Sequence, residues 1–134
     1  MNKDKENEIK NMLKLWGNSS GWLAERKNEY DKAAELCKKA EVDCIVPKDL
    51  IFSCRAEAEN AFNRLREKLF EKSRIDEAVS QLDALEREII ICRYAKKIKW
   101  QYIPAHMPVI ICERQCMRIH KDALEKLAKM LGLL

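Results

Sequence analysis

Basic side chains are concentrated between residues 93 and 121 of this chain. That window holds seven of them and one acidic residue, Glu113, so its net charge is +6. The seven are Arg93, Lys96, Lys97, Lys99, Arg114, Arg118 and Lys121. The charge is segregated, because the whole chain carries only +4 and residues 1–82 are neutral. Such a cluster is typical of a surface that binds a polyanion; on charge alone, a plain solvated face is the alternative.

A second set of side chains has the chemistry of zinc ligands. Cys112, Cys116 and His120 recur every four residues and would share one face of a helix, with His106 nearby. However, successive turns would spread the three over about 12 Å of helix axis, too far for one tetrahedral ion to gather. The sequence also has no Cys-x-x-Cys pair to anchor a site. We therefore expect no metal and no cofactor.

The sequence contains few of the motifs that are typical of enzymes. It has no glycine-rich phosphate-binding loop and no nucleophile signature, and its two histidines provide little general-base capacity. Its carboxylates lie among other charges on predicted helix faces, where solvation explains them. We expect no catalytic activity.

The elements that must position these side chains are predicted to be helices. In 134 residues there are only three glycines and three prolines, whereas average usage would give about nine and seven. Strand-rich folds need these residues in their many turns, so a sandwich is disfavoured. With 47% apolar and 36% charged residues, the composition indicates a folded all-α protein.

The cysteines are interpreted as free thiols. Six are present, but disulfide frameworks belong to small, secreted, loop-rich chains. The first eight residues are too charged for a signal peptide, and no apolar run is long enough to span a membrane. We expect a protein of the bacterial cytoplasm with reduced cysteines.

Residues 1–81 predict a helical extension. Its first helix has an apolar stripe at i, i+3, i+4 and i+7; the stripe consists of Ile9, Met12, Leu13 and Trp16. The expected elements are a helix over 4–16, a break at 17–21, a helix over 22–40, a connector over 41–46 and a long helix over 47–79 that falters at 72–76.

The long helix carries a narrow apolar seam. Ala58, Phe62, Leu65 and Leu69 step by four, three and four residues, as in a helical pair or a coiled coil. Because so narrow a stripe cannot bury itself, it predicts either a helical hairpin within the chain or a dimerisation arm that forms a homodimer. The preceding helices offer a ready partner, which favours the hairpin.

Residues 82–134 predict three shorter helices. Asp83 and Glu86 form a capping box that opens the first, which continues to about Lys96. The second covers 99–107, although Pro104 suits only the first turn of a helix. The third covers 112–131, and its inward positions are Cys116, Ile119, Ala123, Leu124 and Leu127. This layout is typical of a helix-turn-helix domain.

The same residues resemble a known family. The pattern Leu82-x-x-Leu-Glu-Arg-Glu-Ile-Ile-x-x-Arg-Tyr94, then Trp100-x-x-Ile103, then Glu113-Arg-Gln-x-x-Arg-Ile-His-Lys-Asp-Ala-Leu124 is similar to sigma factor region four. It is most similar to the variant in small phage and prophage proteins, including the ArpU-like late transcription regulators. The match covers about residues 82–128.

The resemblance implies that the third helix enters the major groove of DNA. Its N-terminal, outward side chains would then read bases: Glu113, Arg114, Gln115, Met117 and Arg118. Each arginine has the geometry to bind guanine, and the glutamine that to bind adenine. The phosphate contacts would come from Lys96, Lys97, Lys99 and Lys121. His120, Tyr94 and Trp100 fall at positions that we interpret as packing.

The chain departs from the family between the second and third helices. A short turn with glycine is usual there, but this chain has the longer, glycine-free link Pro108-Val-Ile-Ile111. Cys112 also replaces the usual capping serine, and a thiol is the poorer acceptor.

The sequence therefore predicts a helical extension over 1–81 and a DNA-binding helix-turn-helix domain over 82–134. The expected function is sequence-specific regulation of transcription through double-stranded DNA, in a protein of phage or prophage origin. The alternative keeps the fold and makes it a protein-binding module, directed at RNA polymerase or a sigma partner, or an accessory protein of DNA packaging.

Overall fold

The computed structural model describes residues 1–43 and 45–134, and these residues form helices and no strand, so the expected all-α class is confirmed. In order, the elements are α1 (Lys3–Gly17), α2 (Ser19–Val42), α3 (Lys48–Ser80), α4 (Ala84–Ile90), a π-helical turn (Ile91–Ala95), a 3₁₀ helix (Trp100–His106) and α5 (Glu113–Met130). None of the described helices combines the length and the apolarity needed to cross a bilayer.

The described chain divides into two compact units. Residues 1–19 and 72–134 form the first, with 16 basic and 11 acidic side chains, and are called the basic unit below. Residues 20–71 form the second, with 10 basic and 11 acidic side chains, and are called the two-helix unit. The division expected at residue 81 differs from this one, because α1 and the end of α3 share a core with the C-terminal helices.

Helix α1 has the amphipathic character that its sequence predicts. Asn2 caps it by accepting a hydrogen bond from the Lys5 amide at 2.8 Å. Ile9 and Leu13 are fully buried, and Met12 and Trp16 pack against the same core. The predicted stripe is therefore confirmed.

The break after α1 is shorter than predicted. Only Asn18 separates α1 from α2, because its amide bonds to the last carbonyls of α1 and its side chain donates to the Lys14 carbonyl at 3.1 Å. One residue thus terminates the helix, and Gly21, expected in the break, is helical.

The interruption predicted at 72–76 is wrong, since α3 is continuous from Lys48 to Ser80. An ion pair between Lys72 and Asp76 at 2.6 Å, one turn apart, supports the helix at that point. The connector predicted over 41–46 contains Cys44, which lies outside the described residues.

Within the two-helix unit, α2 and α3 contact each other in antiparallel order. Glu41 accepts from Arg55 at 2.7 Å, and the rings of Tyr30 and Phe62 are 5.6 Å apart. Only two of its described hydrophobic residues, Ala40 and Ala61, are buried. Its large apolar side chains that remain exposed are Leu36, Val42, Ile45, Leu50, Phe52, Phe62, Leu69 and Phe70.

The basic unit has two adjoining hydrophobic clusters. The larger one joins α1, the end of α3, α4 and α5. Its members are Ile9, Leu13, Ile75, Ala78, Val79, Leu82, Ile90, Tyr94, Ala123, Leu124, Leu127 and Leu131. The smaller one, made of Ile89, Cys92, Ile103 and Cys116, fastens the 3₁₀ helix to α4 and α5. Together they fix the orientation of α5.

Helix α4 begins as predicted. Glu86 accepts a hydrogen bond from the Asp83 amide at 3.2 Å, which completes the capping box. Beyond Ile90 the helix widens, and the Lys96 amide donates to the Ile91 carbonyl at 2.9 Å, a π-type bond. The first of the three C-terminal helices therefore ends in a π turn and not in a regular α turn.

The second helix of the predicted three is a 3₁₀ helix. Pro104 is its fifth residue and does not lie in its first turn. Proline has no amide hydrogen and cannot donate within a regular helix, so the segment remains a short, tight 3₁₀ helix. Its inner face is the predicted one: Ile103 is fully buried, and Trp100 and Met107 pack against the same cluster.

Candidate nucleic-acid interface

One face of α5 is buried in the core and the other is exposed to solvent. The buried face consists of Cys116, His120, Ala123, Leu124, Leu127 and Ala128. Four of the five positions predicted to face inward are therefore buried, and the fifth, Ile119, is half-buried. Because these positions fix the rotation of the helix, the opposite face of its first two turns points to solvent.

All five predicted base-reading side chains are on that exposed face. They are Glu113, Arg114, Gln115, Met117 and Arg118. Arg114 and Arg118 are one helical turn apart, and neither forms an ion pair with any residue that the structure describes. Both guanidinium groups are therefore free to bind a ligand.

The start of α5 is capped in spite of its cysteine. Cys112 has the extended backbone of an N-cap residue, and its amide donates to the Gln115 side chain at 3.2 Å. Gln115 thus holds the first turn as the third residue of a capping box. The preceding link, Pro108–Ile111, leaves Val109 and Ile110 exposed.

The four predicted phosphate-binding lysines are also exposed. Lys96, Lys97 and Lys99 follow one another between the π turn and the 3₁₀ helix, and Lys121 lies on α5. Lys97 has a φ of 57°, in the left-handed region, between the π turn and the 3₁₀ helix. The segment 96–99 thus exposes three lysines within four consecutive residues.

The three side chains that could bind zinc, Cys112, Cys116 and His120, do not form a cluster. Cys112 is exposed, Cys116 is fully buried, and His120 turns towards Tyr94. Burial raises the pKa of the Cys116 thiol, which favours its neutral form. Among the described residues, no three His, Cys, Asp or Glu side chains are close enough together to hold a metal ion.

His120 is part of a buried aromatic cluster. Its Nε2 atom is 2.7 Å from the Tyr94 hydroxyl, and its ring is 4.8 Å from that of Trp100, edge to face. Burial lowers the pKa of His120 to about 4, and the charges of Lys10 and Arg93 act in the same direction. Burial raises the pKa of Tyr94 to about 12. Both groups are neutral at pH 7, and the packing role predicted for His120 is confirmed.

Sequence reasoning missed one part of this surface. Lys10 and Lys14 of α1 line a groove that also contains Arg93 and Lys121. The four-residue spacing of the two lysines places them on one face of α1, but nothing local indicates that α1 packs beside residues that lie about 80 to 110 positions further along the chain. That contact is purely tertiary.

Comparison of this chain with protein-family models, with curated proteins and with solved structures gives no match.

Proposed function

We propose that this chain is a sequence-specific DNA-binding regulator of transcription, of phage or prophage origin, acting in the bacterial cytoplasm. In this proposal α4 with its π turn, the 3₁₀ helix and α5 form a helix-turn-helix domain, and α5 is the recognition helix. The observation that carries it is that three basic side chains of the +6 window, Arg114, Arg118 and Lys121, lie exposed on α5 and form no ion pair with any described residue.

Three features support α5 as the helix that enters the major groove. It is 18 residues long, six of the nine residues in its N-terminal half are exposed, and its C-terminal half is anchored by Ala123, Leu124 and Leu127. Recognition helices contact base edges with their N-terminal residues. A bidentate contact from Arg114 or Arg118 to guanine O6 and N7 discriminates by about 1 to 3 kcal/mol against the wrong base.

Phosphate contacts would supply most of the affinity. Each neutralised phosphate contributes about −0.9 to the slope of log K against log salt concentration, so four lysines predict a slope near −4. The lysines in question are Lys96, Lys97, Lys99 and Lys121.

The test is a binding measurement in two stages. First, selection of bound duplexes from a random pool defines a site. Then fluorescence anisotropy follows binding of the selected and of a scrambled duplex at several salt concentrations. Arg114→Ala should reduce the preference for the selected site, whereas Lys97→Ala should weaken both duplexes equally and reduce the salt slope by about one. Folded protein that binds neither duplex at low salt would contradict the proposal.

We also propose that the two-helix unit pairs with a second copy of itself. Phe52 is 74% and Phe70 66% exposed, and the described residues of this unit include only two buried hydrophobic side chains, both of them small, so its core is minimal. Its 10 basic and 11 acidic side chains nearly balance, so two copies do not repel each other strongly. Sedimentation should show a dimer. The substitutions Phe52→Glu and Phe70→Glu should dissociate this dimer without loss of helicity. A monomer at all concentrations would overturn this pairing.

The alternative function, a protein-binding module, predicts a different result in the same experiments. The exposed side chains of the helix-turn-helix domain would then contact RNA polymerase, a sigma partner or a packaging protein. Recovery of polymerase subunits on the immobilised chain, together with the absence of DNA binding, would favour that role over DNA recognition.

A further inference from the structure

Helix α1 is fixed to the rest of the basic unit by several independent contacts. Ile9 and Leu13 are fully buried in the larger cluster, and the Trp16 indole donates to Asp76 at 2.7 Å. Gly17 lies directly against the backbone of Tyr94. The direction in which α1 presents its polar face is therefore set by packing.

That polar face forms one wall of a groove of about 390 Å³. The aromatic side chains of Tyr94, Trp100 and His120 line the groove, together with Met117 from α5. Its charged lining consists of Lys10, Lys14, Arg93, Lys121 and Glu6. With His120 neutral at pH 7, four cations face one carboxylate.

Part of this positive charge is not compensated within the unit. Lys10 pairs with Glu6 at 3.0 Å, and the Arg93 guanidinium lies 5.3 Å from the centre of the Trp100 ring. Lys14 and Lys121, by contrast, form no ion pair with any described residue. Two exposed ammonium groups are thus available to an anion.

The same cations contribute to the lowered pKa values of two neighbouring groups, Glu6 and His120. The hydrogen bond from Lys10 is the main influence that lowers the pKa of Glu6, and the charge of Lys121 lowers it further. After burial, the charges of Lys10 and Arg93 are the next influences that lower the pKa of His120. Cations from α1, from the π turn and from α5 therefore act on the same space.

We propose that this groove is a phosphate-binding site in which Lys14 and Lys121 are the principal ligands, supported by Lys10 and Arg93. Its occupant is a backbone phosphate of the DNA duplex whose bases α5 reads. This inference rests on the proposed function. Met117 and Lys121 both belong to α5 and line the groove, so the site is continuous with the exposed face of the recognition helix. Helix α1 thereby becomes part of the DNA-binding surface and is not only an extension.

The chain provides a matched control on the same helix. Lys5 is nine residues from Lys14, which places it on the opposite side of α1, and it is paired with Glu8 at 3.7 Å. Lys5→Gln and Lys14→Gln each remove one positive charge from α1 and leave its buried stripe unchanged. Circular dichroism would verify that both variants, and Lys121→Gln, remain folded.

The experiment measures binding of the selected duplex against salt concentration. Lys14→Gln and Lys121→Gln should each reduce the salt slope by about one and weaken binding several-fold, with unchanged sequence preference, whereas Lys5→Gln should match the wild type. If Lys14→Gln also matches the wild type while Arg114→Ala loses its preference, the groove proposal is wrong and the DNA-binding function remains. If the wild type binds no duplex, both fail.

A second measurement locates the phosphate and separates its two sources. Ethylation of one particular phosphate should impair binding of the wild type but add nothing to the defect of Lys14→Gln. Titration of inorganic phosphate and of adenosine monophosphate provides the other arm. Saturable binding of either that depends on Lys14, with no effect of Lys14→Gln on duplex binding, would identify a small-anion site and overturn the assignment to DNA.

Discussion

Gly17, the last residue of α1, lies against the peptide backbone of Tyr94 with no room for a side chain between them. A Cβ atom built on Gly17 would be 2.6 Å from the Tyr94 carbonyl carbon and closer still to its oxygen. The obstruction is backbone and cannot rotate away. The glycine is therefore required for α1 to reach the π turn at Ile91–Ala95.

Gly17→Ala should destabilise the protein by about 3 kcal/mol, because the new methyl group forces α1 away from the backbone of Tyr94. The chain contains its own control: Gly21 is helical and has nothing within 4 Å of its Cβ position. Gly21→Ala should therefore be neutral or stabilise by up to about 1 kcal/mol. Urea unfolding of both variants measures the difference, and equal effects at the two glycines would contradict the close packing.

The sequence predicts the helices well because their signals are local. The stripe of Ile9 and Leu13 and the capping box of Asp83 and Glu86 each lie within a few residues, and both are present in the structure. Gly17, by contrast, reads as a simple helix breaker in the sequence. Its actual constraint is a contact with a residue 77 positions away, and no periodic pattern encodes such a contact.

The same distinction applies to the candidate site. The exposed face of α5 was predictable, since buried positions such as Cys116 and Leu124 determine the rotation of the whole helix. The contribution of Lys10 and Lys14 was not, because it depends on where α1 packs. The π turn and the 3₁₀ helix were missed for a related reason: they depend on backbone geometry near Tyr94 and Pro104 rather than on apolar spacing.

Tyr94→Phe should destabilise the protein by about 1 to 3 kcal/mol, because the buried His120 ring would lose the hydroxyl that lies 2.7 Å from its Nε2 atom. Tyr102 is 56% exposed, so Tyr102→Phe removes a hydroxyl without uncovering a buried polar atom. Chemical denaturation should therefore separate the two tyrosines. A variant at Tyr94 as stable as the one at Tyr102 would show that the buried pair contributes nothing.

The free energy of unfolding should decrease as the pH falls below about 6.5, because His120 binds a proton more readily in the unfolded chain than in the folded protein. Its pKa is lowered to about 4 in the folded protein, mainly by burial, whereas an unfolded histidine titrates near 6.5. Between these values the unfolded chain binds the extra proton, so each pH unit in this window removes about 1 kcal/mol of stability as the pH falls. Comparing the free energy of unfolding at pH 7.5 and 5.5 keeps most carboxylates ionised and should show a loss of about 1 kcal/mol.

Two histidine variants test that assignment. His106 is exposed, so His106→Gln should retain the full pH dependence. His120→Gln should lose most of it, whatever its stability at neutral pH. Identical pH dependence in the two variants would assign the effect to other groups.

Lys97→Gly should separate backbone strain from charge in the surface lysines. Lys97 has a φ of 57°, which costs a residue with a Cβ about 1 to 2 kcal/mol but a glycine very little. After allowance for the greater freedom of glycine in the unfolded chain, the variant should be more stable by about 0.5 to 1 kcal/mol. Lys99 has a φ of −68°, so Lys99→Gly relieves no strain and should be neutral or destabilising.

Both variants lose one predicted phosphate contact, and each should lower the salt slope of DNA binding by about one. Thermal unfolding and anisotropy on the same two proteins measure the two quantities. A Lys97→Gly variant that is both less stable and unaltered in DNA binding would contradict the strain and the phosphate role together.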